Sequence, residues 1–572
     1  MRSAILPAIA LLLASCATSP RADTTIVQGA VSSADPRATA AGEEMLAQGG
    51  SATDAALAVL LALTVVEPQS SGIGGGGFMV RADADGNVVT YDGRETAPLS
   101  AGPDLFLDAN GQPVSFRDVV PGGRSVGVPG NVAMMKLAHD RHGKLPWSAL
   151  FQPAIRLARD GFAMNQRMAG YFERDADDPD GESRNVALYS ENGRALFLDA
   201  DGKPFPAGTR LTNPALAAFL ERLAIEGPDA FYRGQNPAAV IAAVNGDTKA
   251  PADLTVADFT AYTAKERPPV CSTYRAHRIC SMGPPSSGAT TVLQILGLLE
   301  RFDLAALGPD DPVSWHLFAE ASRFAYADRA RYLGDADFVS VPVAGLIDKN
   351  YLAGRSGLIA ADTVMAQVSA GTPPGANLAL GVGMEPAENG TSHFAVADHD
   401  GNVVSLTSTI ESGFGSGLVV NGYYLNNELT DFSFAPTDDS GRPAANAPAG
   451  GKRPRSSMSP TIVFSPAGEA ILAVGAAGGS TIITQTAKNI IAVIDWDLPA
   501  QEALALPNLY APGSYVMVEE APGSDALMAA LIAMGHQNVR PIGPRFKANA
   551  VQKVGNRWVP AFDPRTQGDA TP

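Results

Sequence analysis

The stretch that decides the fold is Asn389-Gly390-Thr391-Ser392-His393-Phe394-Ala395-Val396-Ala397. Residues 370–390 contain three prolines and five glycines, a composition typical of a flexible linker. Residues 391–397 read as a strand, Asp400-Gly401-Asn402 as a turn, and residues 403–409 as a second strand. The pattern predicts a β-hairpin whose first residue, Thr391, directly follows a linker.

Thr391 would carry both a hydroxyl nucleophile and a free α-amine if the chain were cut before it. An α-amine has an ordinary pKa of about 8, which is close enough to neutrality for a general base. An ordinary strand after a loop fits the same segment, so the interpretation depends on the rest of the chain.

The 572 residues could form several average domains or a single large α/β enzyme. A hydrophobic fraction of 45% indicates a folded protein. Acidic residues outnumber basic ones by 59 to 42, the net charge is -17, and no long basic run occurs. Nucleic acid is therefore not an expected partner.

The N-terminus has the pattern of an export signal. Arg2 precedes an apolar run over residues 4–14, which is too short to span a bilayer. The run ends in Leu13-Ala14-Ser15-Cys16, which resembles the bacterial lipobox; a plain signal peptide cut near Ala22 is the alternative. We expect residues 1–22 to be a signal region and the protein to be periplasmic. Lipidation of Cys16 would provide its only membrane attachment.

The two remaining cysteines, Cys271 and Cys280, flank a segment that reads as two short strands around a turn. In an oxidising compartment they could close a hairpin by a disulfide, and a pair of reduced structural cysteines is the alternative. The seven histidines show no ligand-like spacing, so we expect no metal.

Elsewhere, helices and strands alternate, a pattern typical of an α/β or α+β fold. A glycine run over residues 72–77 formally matches the dinucleotide fingerprint, but it follows a predicted helix and precedes a strand, the reverse of that motif. We therefore interpret the run as a loop that lets backbone segments approach closely. The other predicted elements are helices at 36–66 (two, around Gly49-Gly50-Ser51), 312–328 and 481–493, a mostly helical region at 146–222 with a polar interruption at 174–184, and strands at 461–464 and 470–474.

Gly478 and Gly479 lie between the last of these strands and the last helix. Free backbone N–H groups at a helix N-terminus can stabilise the oxyanion of a tetrahedral acyl intermediate. A simple tight turn is the alternative interpretation.

Three carboxylates, Glu411, Glu428 and Asp431, follow the predicted hairpin. Neighbouring carboxylates oppose one another's ionisation, so the cluster needs a cation, and a substrate ammonium is the natural candidate. On the opposite side, Arg94 and the hydroxyls of Ser456 and Ser457 could hold a substrate carboxylate. Ammonium and carboxylate together make the head of an α-amino acid.

These segments together resemble the gamma-glutamyltransferase (gamma-glutamyltranspeptidase) family of N-terminal-nucleophile hydrolases, over nearly the whole mature chain. The motifs that carry the resemblance are Val66-Glu67-Pro68, Ser71-Gly72-Ile73-Gly74-Gly75-Gly76-Gly77-Phe78, Gly93-Arg94-Glu95-Thr96-Ala97-Pro98, Gly123-Arg124-Ser125-Val126-Gly127-Val128-Pro129-Gly130, Phe151-Gln152-Pro153-Ala154-Ile155, Pro284-Pro285-Ser286-Ser287-Gly288, Ala327-Asp328-Arg329 and Arg453-Pro454-Arg455-Ser456-Ser457-Met458.

The resemblance implies a four-layer αββα fold and a precursor that cuts itself between Gly390 and Thr391. The products would be a large subunit, residues 23–390 (from Cys16 if lipidated), and a small catalytic subunit, residues 391–572. It also implies roles for single residues. Thr391 would be the nucleophile and Thr409 its hydrogen-bond partner; Gly478 and Gly479 would form the oxyanion hole; Arg94, Ser456 and Ser457 would bind the α-carboxylate, and Glu411, Glu428 and Asp431 the α-amine.

The implied substrates are glutathione or other gamma-glutamyl compounds, with water, amino acids or dipeptides as acceptors and no cofactor. Residues 435–455 contain no aromatic side chain, whereas some members close the site with one there; we expect an open site that favours water or bulky substrates. Two alternatives remain: a cephalosporin or glutaryl amidase of the same superfamily, and a non-catalytic periplasmic lipoprotein.

Overall fold

Two six-stranded sheets form the centre of the protein, in a computed structural model that describes residues 29–173, 182–383, 390–544 and 546–567. The strands are β1 Ala30–Ser32, β2 Gly76–Ala82, β3 Val88–Asp92, β4 Phe162–Ala163, β5 Arg210–Leu211, β6 Lys265–Arg267, β7 Val270–Tyr274, β8 His277–Ser281, β9 Ser392–Ala397, β10 Val403–Thr409, β11 Val419–Val420, β12 Tyr423–Tyr424, β13 Thr461–Phe464, β14 Ala470–Ala477, β15 Leu509–Tyr510, β16 Val516–Glu519, β17 Val539–Ile542, β18 Lys547–Val554 and β19 Arg557–Phe562.

The first sheet has the strand order β1-β9-β10-β2-β3-β6, and the second has the order β19-β18-β14-β13-β8-β7. Every pairing within both sheets is antiparallel. Smaller sheets pair β11 with β12, β4 with β5, and β15-β16-β17.

The helices surround these sheets. They are α1 Pro36–Ala47, α2 Ala52–Val66, α3 Phe116–Val119, α4 Asn131–His142, α5 Gln152–Asp160, α6 Gln166–Gly170, α7 Glu182–Ala187, α8 Glu191–Phe197, α9 Pro214–Glu226, α10 Asp229–Tyr232, α11 Gln235–Asn245, α12 Val256–Ala261, α13 Gly288–Leu299, α14 Leu304–Leu307, α15 Pro312–Tyr332, α16 Val343–Leu346, α17 Lys349–Ser356, α18 Thr481–Ile494, α19 Ala500–Ala505, α20 Ser524–Ala533 and α21 Pro564–Gln567, with 3₁₀ turns at Gly123–Ser125, Trp147–Ala149 and Glu428–Asp431. Within these described ranges, none of the helices combines the length and apolar character that a bilayer span requires.

The predicted hairpin is confirmed as β9 and β10, which pair with Ala395 opposite Ser405. β9 lies between β1 and β10, so both of its edges are hydrogen-bonded. Its side chains alternate between two cores: Phe394 and Val396 pack toward α1 and α2, whereas Ala395 packs toward the second sheet.

The layering confirms the αββα expectation. On one side, α2 is buried along its whole length, and its leucines join the core beneath the first sheet. On the other side, α13 and α18 pack on the second sheet with Ile295 and Ile483 in a second core. Each fully buried Leu or Ile contributes about 1.5–3 kcal/mol relative to exposure, so the two helical layers hold the sheets face to face.

The glycine run joins α2 to β2, as predicted. A Cβ added at Gly75 would lie 1.9 Å from the carbonyl oxygen of Thr409, so the run lets backbone pass against the end of β10. The chain before the run is a helix and the chain after it is a strand, which agrees with rejecting a dinucleotide site.

The long helix predicted at residues 312–328 extends to Tyr332 as α15. The apolar stripe of Leu317, Ala321, Phe324 and Ala327 predicts an amphipathic helix with an exposed polar face, and that prediction is wrong. Almost the entire helix is buried, including its polar residues, because those residues pair inside the protein: Glu320 accepts from Arg323 at 2.5 Å, and His316 Nδ1 lies 2.8 Å from His536 Nε2. The spacing of apolar residues identifies one buried face of a helix. It does not show whether the polar face is also buried against polar partners.

The remaining predicted elements have these outcomes. The helices at 36–66 are α1 and α2, with Ser51 capping α2; the strands at 461–464 and 470–474 are β13 and the longer β14; and the helix at 481–493 is α18. The region 146–222 is mainly helical but also holds β4 and β5, and residues 174–181 of its polar interruption lie outside the described residues. Cys271 and Cys280 face each other across β7 and β8 and form a disulfide with an S–S distance of 2.08 Å.

Candidate active site

Thr391 lies immediately before β9 and is 4% exposed. Its Oγ1 donates a hydrogen bond of 3.3 Å to Oγ1 of Thr409, the last residue of β10. The N–H of Glu411 donates to that same Thr409 oxygen at 2.8 Å, which fixes its orientation. The hairpin therefore brings the predicted nucleophile and its predicted partner together.

The backbone around the Gly390–Thr391 bond is strained. Gly390 has φ +96° and Thr391 has φ +135°, and both values lie in the region that favours glycine. For a β-branched residue such a conformation costs on the order of 1–3 kcal/mol. A Cβ at Gly390 would lie 1.9 Å from the carbonyl oxygen of Glu411, so only glycine fits before Thr391 in this arrangement.

Gly478 and Gly479 lie between β14 and α18 with φ values of +116° and +58°. Their carbonyl groups accept bonds from the first turn of α18, for example from the N–H of Ile482 at 3.0 Å. Neither of their own N–H groups donates to another group in the described part of the chain. Two free donors at a helix N-terminus are suited to stabilising an oxyanion.

A small cavity that is open to solvent joins these groups. Its lining contains the predicted nucleophile, one of the two glycines and all six predicted substrate-binding residues. The lining residues are Arg94, Gly390, Thr391, Thr409, Glu411, Glu428, Asp431, Ser456, Ser457, Met458, Gly479 and Ile482.

Arg94 is fully buried and forms ion pairs with the carboxylates of Glu428 and Asp431. Its Nε also donates to the carbonyl oxygen of Pro454 at 3.1 Å. Burial opposes its charge, but Glu428 and Asp431 outweigh that effect and raise the pKa of Arg94. The sequence predicts Arg94 on the opposite side of the site from the acids; in the structure Arg94 contacts two of them directly.

Glu95 is a further acid at this site, and the sequence predicts no role for it. It is buried, and one carboxylate oxygen lies 3.8 Å from Arg94 Nη1. Burial raises the pKa of Glu95 and also that of Glu428. Its position directly after Arg94 was visible in the sequence, but only the fold shows that it turns inward.

Glu411 accepts hydrogen bonds from the amide of Asn427 and the hydroxyl of Ser412. These donors orient its carboxylate just beyond the end of β10. Asn427 is thus another residue of the site that the sequence did not single out.

Ser456 and Ser457 lie across the cavity on a segment that runs alongside Ser286 and Ser287. Arg329 holds this segment: its Nη2 donates to Ser457 Oγ at 2.7 Å and its Nε donates to Ser287 Oγ at 2.8 Å. Arg329, on buried α15, belongs to the Ala327-Asp328-Arg329 motif, but the sequence predicts no role for it.

The loop at residues 435–455 contributes no side chain to the lining of this cavity. Part of the loop is held elsewhere, since Ala444 bridges to Gly381. All of the described residues that line the cavity are non-aromatic.

A threonine at the head of a central strand in an αββα sandwich, beside a hydroxyl partner and free backbone donors, defines an N-terminal-nucleophile hydrolase. Comparison with known proteins narrows this class. Residues 38–572 match the family profile described as Gamma-glutamyltranspeptidase. The chain belongs to the gamma-glutamyltranspeptidase family and is an enzyme of that type.

Individual relatives span most of the chain. The glutathione hydrolase proenzyme of Escherichia coli (strain K12) is 40% identical over 496 residues, which are 84% of this chain and 81% of that protein. The acylase ACY 1 proenzyme of Pseudomonas sp. (strain SE83) is 37% identical over 90% of this chain and 88% of its own length.

Two solved structures also resemble this protein. The cephalosporin acylase from Bacillus halodurans superposes with a TM-score of 0.81 at 25% identity, covering 97% of this chain and 98% of that one. The gamma-glutamyltranspeptidase of Helicobacter pylori has a TM-score of 0.56 at 36% identity, over 65% of this chain and 100% of the compared chain.

Proposed function

We propose that the protein is a precursor that cleaves itself between Gly390 and Thr391 and then acts as a glutathione hydrolase and gamma-glutamyltransferase. The subunits would be residues 23–390, or 16–390 if Cys16 is lipidated, and residues 391–572. The observation that carries the proposal is that Thr391, Thr409 and Gly479 line one cavity. The same cavity is lined by four charged side chains, which we call the charged ring: Arg94, Glu411, Glu428 and Asp431. The glutathione hydrolase proenzyme relatives support it.

Self-cleavage follows from the strained bond. Thr391 Oγ attacks the carbonyl carbon of Gly390, the C–N bond breaks, and the acyl group moves from nitrogen to oxygen as an ester. Water then hydrolyses the ester, leaving a carboxylate on Gly390 and a free α-amine on Thr391. Release of the strain at Thr391 favours this direction.

The same oxygen then attacks the γ-amide carbon of the donor. The N–H groups of Gly478 and Gly479 stabilise the oxyanion, and the Thr391 α-ammonium protonates the leaving amine. Water attacks the resulting ester to give glutamate, or the amine of an acceptor attacks it to give a new gamma-glutamyl amide.

The charged ring would select the glutamyl head. Glu411, Glu428 and Asp431 would bind the α-ammonium, while Arg94 and the hydroxyls of Ser456 and Ser457 would bind the α-carboxylate. Since Arg94 already pairs with Glu428 and Asp431, an amino acid would insert its own two charges into an existing ion-pair network. An uncharged acyl group could not replace those pairs.

The acceptor side is proposed to be open, because the lining lacks an aromatic cover among the described residues. Water should compete well there. A transfer-to-hydrolysis ratio well above one, measured with glycylglycine as acceptor, would contradict this part of the proposal.

Cephalosporin or glutaryl amidase activity is the second candidate, because an acylase proenzyme is 37% identical over 90% of the chain. A glutaryl group carries a carboxylate for Arg94 but lacks the α-amine, so it would draw Arg94 away from Glu428 and Asp431 without supplying a cation in return. Turnover of gamma-glutamyl-p-nitroanilide should therefore exceed that of glutaryl-p-nitroanilide. The reverse order would favour the acylase.

Export to the periplasm, with lipid attachment through Cys16, also remains a proposal, and it falls on residues outside the described ranges. The Leu13-Ala14-Ser15-Cys16 pattern supports it. Cys16→Ser should release the protein from the membrane fraction into the soluble periplasm, and an unchanged distribution would point to the plain signal.

One gel tests the central proposal. The wild-type protein should separate into two bands under denaturing conditions, whereas Thr391→Ala should remain one band and have no activity. Thr391→Ser, which keeps a hydroxyl, should still cleave, though more slowly. Two bands from Thr391→Ala would overturn the assignment of Thr391.

A further inference from the structure

A buried polar cluster lies directly behind the nucleophile. Lys547 Nζ donates to Glu67 Oε2 at 2.9 Å, to Ser392 Oγ at 3.1 Å and to Ser70 Oγ at 3.4 Å. Ser392 Oγ in turn donates to Glu67 Oε2 at 2.6 Å. Ser392 is the residue after Thr391, so the cluster is one peptide unit from the reacting hydroxyl.

Three separate elements supply the cluster. Glu67 is the C-cap of α2, Ser392 begins β9, and Lys547 begins β18 in the other sheet. The cluster therefore ties the outer helical layer and both sheets together at the point where Thr391 leaves the linker. Glu67 and Ser70 precede the proposed cleavage point and Ser392 and Lys547 follow it, so the cluster also crosses the proposed subunit boundary.

The charges of this cluster are not explained by stability alone. Both Lys547 and Glu67 are 2% exposed, and a buried ion pair is often no more stabilising than apolar residues of the same size. Glu67 also lies at the negative end of the α2 dipole, where a carboxylate is disfavoured. A residue that departs from local preference in this way is expected near a functional site.

The pair is nonetheless suited to hold charge. Burial opposes the charge of Glu67, but Lys547 and Arg167 offset this, and the pKa of Glu67 is lowered. Burial lowers the pKa of Lys547 to about 8, with Glu67 acting in the opposite direction. Near neutral pH the cluster is thus an ammonium between a carboxylate and two hydroxyls.

We propose that Glu67 and Lys547 are positioning residues that fix Ser392 and thereby aim the Thr391 hydroxyl. Ser392 is held through both of its hydrogen-bonding roles, since its hydroxyl donates to Glu67 and accepts from Lys547. With the next residue fixed, Thr391 Oγ1 keeps its 3.3 Å contact with Thr409 after the chain is cut. The cluster touches neither the predicted substrate-binding groups nor the cavity, so its effect falls on attack and not on binding.

The inference rests on the proposed function, and the chain offers a matched pair of variants to test it. Ser392 and Ser70 are both buried serines that accept from Lys547, but only Ser392 adjoins the nucleophile. Ser392→Ala should lower kcat about 10-fold per active site, counted by the acyl-enzyme burst, and leave KM within twofold. Ser70→Ala should leave both values within twofold.

A second comparison guards against loss of folding. Lys547→Met should lower kcat at least as much as Ser392→Ala, and the combined variant should be no slower than Lys547→Met alone, because both remove the same restraint. Thermal unfolding identifies any variant that fails to fold, and Ser392→Ala with its Ser70→Ala control remains informative in that case.

The outcomes separate the two proposals. If Thr391→Ala still cleaves itself, the proposed function fails. If Thr391→Ala behaves as expected but Ser392→Ala and Ser70→Ala show the same kcat, the proposed function stands and the positioning role is overturned, because a merely structural cluster would treat the two serines alike.

Discussion

The guanidinium of Arg94 forms a buried ion pair with the carboxylate of Glu428, 334 residues further along the chain. Arg94 is expected to bind the substrate carboxylate, and Glu428 is expected to bind the substrate amine. In the structure these two side chains bind each other. Glutamate-like ligands carry both charges and can satisfy both partners, which is a physical basis for selecting an α-amino acid head.

Arg94→Met should be strongly destabilising, because it leaves buried Glu428 and Asp431 without their cation; removal of one partner of a buried pair costs about 3–5 kcal/mol. Arg94→Lys keeps the charge but loses the planar fork, so we expect a folded protein with KM raised at least 10-fold. Thermal unfolding and steady-state kinetics measure these effects. Arg141→Met, at an exposed pair with Glu266, is the control and should change neither.

Gly478→Ala should reduce kcat about 10²-fold or more, because disturbing an oxyanion-hole donor has an effect of that size. The added Cβ would lie 2.8 Å from Thr481 Oγ1 at a φ of +116°, so the backbone must shift. Gly468→Ala is the control: its φ is +91°, but nothing lies within 4 Å of the added atom. Equal loss of kcat in both variants would argue against the oxyanion role.

The Cys271–Cys280 disulfide should contribute to stability and not to catalysis. Its sequence separation is nine residues, and closure of so short a loop is worth about 2–3 kcal/mol in the chain-entropy account. Cys271→Ser/Cys280→Ser should unfold at lower temperature with unchanged kcat. Reductant should lower the unfolding temperature of the wild type only; an equal response in both proteins would show that the cysteines are reduced.

Stability should fall on acidification partly through His536. Burial lowers the pKa of His536 to about 4, so the unfolded chain binds a proton between about pH 6.5 and 4 that the folded protein does not. The contribution of neutral His536 to the free energy of unfolding is complete above the unfolded pKa and is lost as the pH falls toward 4. In that range the free energy of unfolding falls by up to about 1.4 kcal/mol per pH unit.

His536→Gln should flatten that slope in denaturant titrations at several pH values. His399→Gln, at an exposed turn position, is the control and should leave the slope as it is in the wild type. A slope unchanged by His536→Gln would contradict the prediction.

Local features were predictable from the sequence because short-range rules govern them. The β9–β10 hairpin has alternating residues around an Asp-Gly-Asn turn, and α18 has a glycine start followed by an apolar run. The residues that line the cavity were predicted partly from the chemistry of their side chains and partly from the family resemblance. Only the folded structure shows that these residues line one cavity.

Other features could not be read from the sequence, because they depend on contacts between distant segments. Glu67 and Lys547 are 480 residues apart, and no local pattern marks them as partners. Glu95 and Arg329 lie in motifs that the family shares, but their inward orientation is a property of the packed layers. The burial of α15 was missed for the same reason.

The strand order has a consequence for the lifetime of the enzyme. In the first sheet, β9 and β10 from beyond Thr391 lie between β1 and β2 from before it, and in the second sheet β13 pairs with β8. Once the bond is cut, the two chains remain interleaved through sheet hydrogen bonds. A processed molecule that unfolds would have to reinsert one chain between strands of another, a bimolecular search that the uncut precursor never faces. Unfolding of the precursor would therefore be reversible, whereas unfolding of the cleaved enzyme would be irreversible. The lifetime of the mature enzyme would then be set by its rate of unfolding.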